Sequence, residues 1–115
     1  MAMDKKSLED VREFSPERFT KRMLFQKGES AAFVLNFVQG QALPPHKHPG
    51  TDLYLVVLEG SGTITVDGVN TEVAAQDTVW CGGDELFSFS NTGTTPARLY
   101  VVLSKVPDNR YVQDV

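Results

Sequence analysis

His46 and His48 are the only histidines in the chain. Two residues apart on an extended backbone, their rings point to the same side, because successive side chains of a strand alternate between faces. Two neutral imidazoles converging on one point suit a divalent transition metal. Asp52 follows four residues after His48 and would complete a three-ligand face. Tyr54 shares the face of Asp52 on a regular strand and offers a hydroxyl, although a core or surface tyrosine is the plainer reading. Elsewhere the chemistry is thinner. Cys81, alone on an apolar stretch, reads as a small buried hydrophobe. Asp84 and Glu85 beside the Gly82-Gly83 turn read as solvated acids, and become general-base candidates only if their loop folds over a mouth.

The elements that must position these residues are strands. Ala31 to Gln39 puts Phe33, Leu35 and Phe37 on one face and Val34, Asn36 and Val38 on the other, a period of two whose aromatic and aliphatic side should look inward. Gly40 and the Pro44-Pro45 pair interrupt that pattern and stiffen the approach to the histidines. After the Pro49-Gly50 turn, Leu53 to Leu58 is apolar on both faces, as expected of a strand covered on both sides or paired with a second chain. Thr63 to Val66 and Val69 to Val73 flank Asp67-Gly68, the strongest short hairpin signal in the chain. Further strands are expected at Arg22 to Gln26, Thr78 to Cys81, Leu86 to Ser90 and Ala97 to Leu103, with a tail from Pro107. One short helix is expected from Ser7 to Phe14, with Ser7 as its N-cap. Many short strands between glycine turns predict an all-β sandwich or small barrel. Phe33, Phe37, Phe87 and Phe89 are most simply its filling, with walls of a ligand cavity as the alternative. Trp80 reads as core or interface.

The 115 residues suit one domain with its own core. A net charge of −4 and a pI of about 5.0 argue against an electrostatic grip on nucleic acid or an anionic membrane. One cysteine excludes an internal disulfide and is compatible with a reducing compartment, so a cytoplasmic protein is expected. No stretch approaches the roughly 18 apolar residues of a spanning helix, and the first residues lack the apolar segment of a signal peptide.

These residues resemble the cupin family of double-stranded β-helix, jelly-roll barrels. Gly40, His46, His48 and the ending Leu58-Glu59-Gly60 follow the family's first motif, and the resemblance runs from about Ala31 to Leu103. It implies a metal site at the histidines, holding Fe, Mn, Ni or Zn, a small organic ligand, and a homodimer. Two departures accompany it. Counted forward from His48, Asp52 takes the place of the family's glutamate, whereas counting back from Gly60 puts Leu53 there. In the second motif, Phe87 or Leu86 stands where the family has its third histidine, and no histidine follows His48. The resemblance thus leaves two readings open. One is an enzyme acting on a small organic molecule through two histidines and Asp52, in the donor count of a facial triad. The other is a non-catalytic binding or sensing barrel with a decayed metal site.

Overall fold

The computed structural model describes residues 3–106 and 109–115, with backbone alone at residues 109 and 110. Its strands are β1 Thr20–Lys27, β2 Ser30–Phe37, β3 Ala42–His46, β4 Asp52–Glu59, β5 Ser61–Val66, β6 Val69–Ala74, β7 Thr78–Gly82, β8 Phe87–Ser90 and β9 Ala97–Leu103. Five of them form one sheet in the order β1-β2-β9-β4-β7, and four form a second in the order β3-β8-β5-β6. Every pairing is antiparallel. The all-β expectation holds.

Alternation along each strand makes the core. Phe33, Leu35 and Phe37 of β2, Leu53, Leu55 and Val57 of β4, and Leu99, Val101 and Leu103 of β9 turn one way. They meet Ile64 of β5 and Phe87 and Phe89 of β8, so the two inner faces close on one apolar interior. Cys81 of β7 joins it at 1% exposure. The Asp67-Gly68 hairpin forms as expected, with φ of 48° and 82°, the backbone a tight strand-to-strand turn demands.

The expected N-terminal helix is replaced by one 3-10 turn, Leu8–Val11. Ser7 does cap it, accepting from the Glu9 amide at 3.2 Å. None of its four residues is buried, and a single turn with no apolar face to dock lacks the support to propagate an α-helix. This N-terminal segment instead lies over the outer face of β2. There Asn36 donates to the Val11 carbonyl and to Thr20 Oγ1, while Arg98 donates from Nε to Asn36 Oδ1 and from Nη2 to the Leu8 carbonyl. Both faces of β2 are therefore buried.

Coverage stops halfway across that sheet. The outer faces of β4 and β7 stay open, with Tyr54 at 51% and Trp80 at 58% exposure, so Leu53–Leu58 is covered on one side and not on the other by the described residues. The structure also adds β3, whose prolines interrupted the sequence pattern. It is an edge strand, and its pairing with β8 is irregular between Leu43 and His46, where Pro44 and Pro45 have no N–H to give.

Candidate functional site

β3 ends on His46 and hands the chain to a loop carrying His48. The two rings lie 4.4 Å apart between centroids, at 64° to each other. That loop is held from two directions. The His48 amide donates to the Gly83 carbonyl at 3.0 Å, and a Cβ added to Gly83 would collide with the carbonyls of His48 and Thr51, so a glycine is what allows the close approach. Thr51 Oγ1 in turn lies 3.0 Å from Ser104 Oγ and accepts the Lys105 amide at 2.6 Å.

The two imidazoles differ in their surroundings. His46 donates from Nδ1 to the Pro44 carbonyl at 2.9 Å, which leaves its Nε2 lone pair free. His48 is only 3% exposed, and its Nδ1 is buried with no hydrogen-bond partner among the described residues. Burial, then the charges of His46 and Lys21, push its pKa down to about 4, so the ring is neutral at pH 7.

Lys21 is turned inward from β1 and is 9% exposed. Its ammonium sits 4.3 Å from the centre of the Phe33 ring and donates to the Tyr111 carbonyl at 2.7 Å. Burial pushes its pKa down to about 8, opposed by the charge of Asp114.

Above it, the C-terminal segment straps the mouth. The Tyr111 ring stands 5.5 Å from His48 and 6.3 Å from His46, and its hydroxyl donates to the Lys47 carbonyl at 2.8 Å. Val115 then exchanges two backbone hydrogen bonds with Lys21, and Asp114 Oδ1 accepts the Met23 amide, which satisfies the free edge of β1. Tyr111 borders two spaces. Inside lies a cavity of about 40 Å³ lined by Lys21, Phe33, both histidines, Leu53 and Phe87, room for about one water. Outside lies a groove of about 310 Å³ whose walls include Arg18, Phe19, Lys21, Leu43, Pro44 and His46.

Of the residues singled out in the sequence, His46, His48, Phe33 and Phe87 meet at this cavity. Asp52 and Tyr54 do not. Leu53 is the inward residue, and no register irregularity precedes it against β7, so Asp52 and Tyr54 fall on the outer face. There Asp52 Oδ1 accepts the indole N–H of Trp80 at 3.0 Å. Phe37 and Phe89 are sealed in the core away from the histidines; the Phe37 ring stacks on Phe19 at 5.4 Å and tilts against Phe89 at 4.9 Å. Glu85 is spent on the Gly82 amide, and Asp84 is exposed. The sequence reasoning missed Lys21 and Tyr111. The tail expected from Pro107 begins outside the described residues, and its described end is docked, not loose.

The donor set fits a resident metal ion poorly. Among the described residues no third His, Cys, Asp or Glu joins the pair, and their buried neighbours Leu53 and Phe87 offer no donor atom. A firmly held divalent ion wants three or four protein ligands.

The family described as "Cupin domain" matches residues 33–103. Among curated proteins, a dimethylsulfoniopropionate lyase, DddW, of Ruegeria pomeroyi is 41% identical over 51 residues, which is 44% of this chain and 33% of that protein. The tetracenomycin polyketide synthase protein TcmJ of Streptomyces glaucescens is 25% identical over 79 residues, 67% of this chain and 53% of that protein. The chain thus spans between a third and about half of these relatives. A solved structure, TT1209 of Thermus thermophilus, superposes with a TM-score of 0.86 at 26% identity, covering 91% of this chain and all of that one.

Proposed function

Because the chain belongs to the cupin domain family, we propose that it binds a small organic molecule at the barrel mouth, beside His46 and His48, without a resident metal ion. One observation carries the reading. Leu53 and Phe87, buried at 2% and 1%, fill the inward positions beside the rings where a metal would need oxygen or nitrogen. His48 Nδ1, without a hydrogen-bond partner among the described residues and set in a mostly apolar recess, is the kind of polar group that a bound molecule satisfies. The test is metal analysis of protein purified without chelator, paired with thermal-shift screening of small aromatic alcohols and acids. Sub-stoichiometric metal and an organic ligand that raises the melting temperature, less so in His46→Ala, are expected. One tightly held metal per chain, lost in that variant, overturns the reading.

A second reading, an enzyme using Fe, Mn, Ni or Zn, is favoured by the His46 Nδ1–H to Pro44 hydrogen bond, which presents Nε2 as metal-ligating histidines do. Such an ion would supply Lewis acidity, with its open positions filled by ligand atoms. Added metal salt raising the melting temperature of the wild type and not of His46→Ala would support it.

The same proposal includes a homodimer through the open outer face, where Tyr54, Val56, Trp80, Tyr100 and Val102 line an apolar groove of about 370 Å³. Sedimentation equilibrium should give a dimer that Trp80→Arg splits; a wild-type monomer at micromolar concentration overturns it. A cytoplasmic setting is part of the proposal too, supported by the single unpaired thiol of Cys81.

A further inference from the structure

We propose that the groove at the mouth seats a small carboxylate carried on a flat apolar body, with the Lys21 ammonium as its counter-charge. This rests on the small-molecule reading above and adds the ligand's charge to it.

Arg12 pairs with Glu59, Arg22 with Glu13 and Lys27 with Asp4, all on the outside. Lys21 is the lysine that is buried, and none of the ion pairs among the described residues includes it. Three donors radiate from an ammonium, and the Tyr111 carbonyl takes one of them. Around the rest are the Phe33 and Tyr111 rings and the His48 imidazole, which cannot neutralise a cation. Asp114 accepts the Met23 amide at Oδ1, and its charge acts on Lys21 without forming an ion pair with it among the described residues.

A buried charge is held in proteins by a partner of opposite sign or by hydrogen-bond acceptors, as Arg98 is held by Asn36 Oδ1 and the Leu8 carbonyl; for Lys21 one acceptor, the Tyr111 carbonyl, is in place. If Lys21 served only to fill space or to pin Tyr111, an apolar side chain or a surface lysine would do so without the desolvation. Its position supplies a reason for the charge, because Lys21 borders both the inner cavity and the groove. Arg18 stands on the groove's rim, its guanidinium 5.1 Å from the centre of the Phe19 ring, and adds positive charge with no ion pair of its own among the described residues. Phe19, Leu43, Pro44 and Pro45 supply flat apolar walls. At about 310 Å³ the groove is at the small end of ligand pockets and suits a single-ring acid.

Isothermal titration of the full chain at pH 7 with benzoate and with benzyl alcohol, a neutral analogue, decides it. A charge-assisted contact predicts benzoate binding about ten-fold tighter than the alcohol. Lys21→Met should bring benzoate down to the level of the alcohol while leaving alcohol binding in place, whereas a merely structural lysine would lower stability and leave the preference intact. Arg18→Gln, at an exposed position, should weaken benzoate about three-fold, and serves if Lys21→Met does not fold. Equal binding of the two probes by the wild type, or a preference that survives both substitutions, overturns the inference. Alcohol binding that is lost in His46→Ala without any benzoate preference would sink the carboxylate and keep the small-molecule reading. Binding of neither probe counts against both.

Discussion

Two segments flank the barrel, and each covers buried polar groups in a different way. Under the N-terminal segment, the outer-face groups close on themselves: Arg98, Asn36, Thr20 and the carbonyls of Leu8 and Val11 form one hydrogen-bonded set. Beneath the C-terminal segment, among the described residues, His48 Nδ1 has no hydrogen-bond partner and Lys21 has no ion pair with a carboxylate. The first arrangement needs nothing from outside. The second leaves those groups open to the ligand proposed above. The satisfied set holds the fold, and the unsatisfied groups are the ones that the proposed ligand would engage.

The sharpest way to break this contrast is at the satisfied end. Arg98→Ala removes a guanidinium at 5% exposure and strands Asn36 Oδ1 and the Leu8 carbonyl. Stability by urea unfolding should fall by about 3 kcal/mol, with ligand binding kept in the folded fraction.

At the unsatisfied end the corresponding handle is pH. His48 has a folded pKa of about 4 against 6.5 in the unfolded chain, so the unfolded state binds the extra proton first as pH falls. Its share of stability is fully present above pH 6.5 and is lost progressively down to about pH 4. That share is at most about 3 kcal/mol, and His48→Phe should flatten this part of the acid stability curve. An unchanged acid limb in that variant would mean that His48 is already partnered.

Next in size comes Tyr111→Ala, which merges the inner cavity with the groove. A loss of about 1–2 kcal/mol is expected for a half-buried aromatic, together with faster access of small molecules, read by stopped-flow binding. Smallest is Asp52→Asn, which weakens one hydrogen bond to an exposed indole and should change stability by less than about 0.5 kcal/mol. Ligand binding should not change at all. A large drop would return Asp52 to the site and erase the contrast.

Much of the barrel was readable because alternation and turn chemistry are local. Phe33-Leu35-Phe37 declared the inner face of β2, Asp67-Gly68 declared its hairpin, and His46 and His48 declared one face of the mouth. Asp52 failed for the same reason that strands are readable at all, since a shift of one residue moves a side chain to the opposite face. Phe37 and Phe89 share the inward face with Phe33 and Phe87, but periodicity carries no information on depth along the barrel. Lys21 and Tyr111 were invisible because their meeting spans 90 positions in sequence, and nothing in either neighbourhood announces the other. The N-terminal turn shows the converse: a good capping serine is a local signal that tertiary packing did not reward.

Trp80 is the only tryptophan in the chain, and it stands on the outer sheet face while the histidines, Lys21 and Tyr111 gather at the mouth. Its fluorescence emission is therefore a reporter of self-association, shifting blue if the open face is covered, and is blind to occupancy of the mouth. Ultraviolet absorbance or calorimetry must follow the ligand, so the two events can be recorded in one sample without cross-talk.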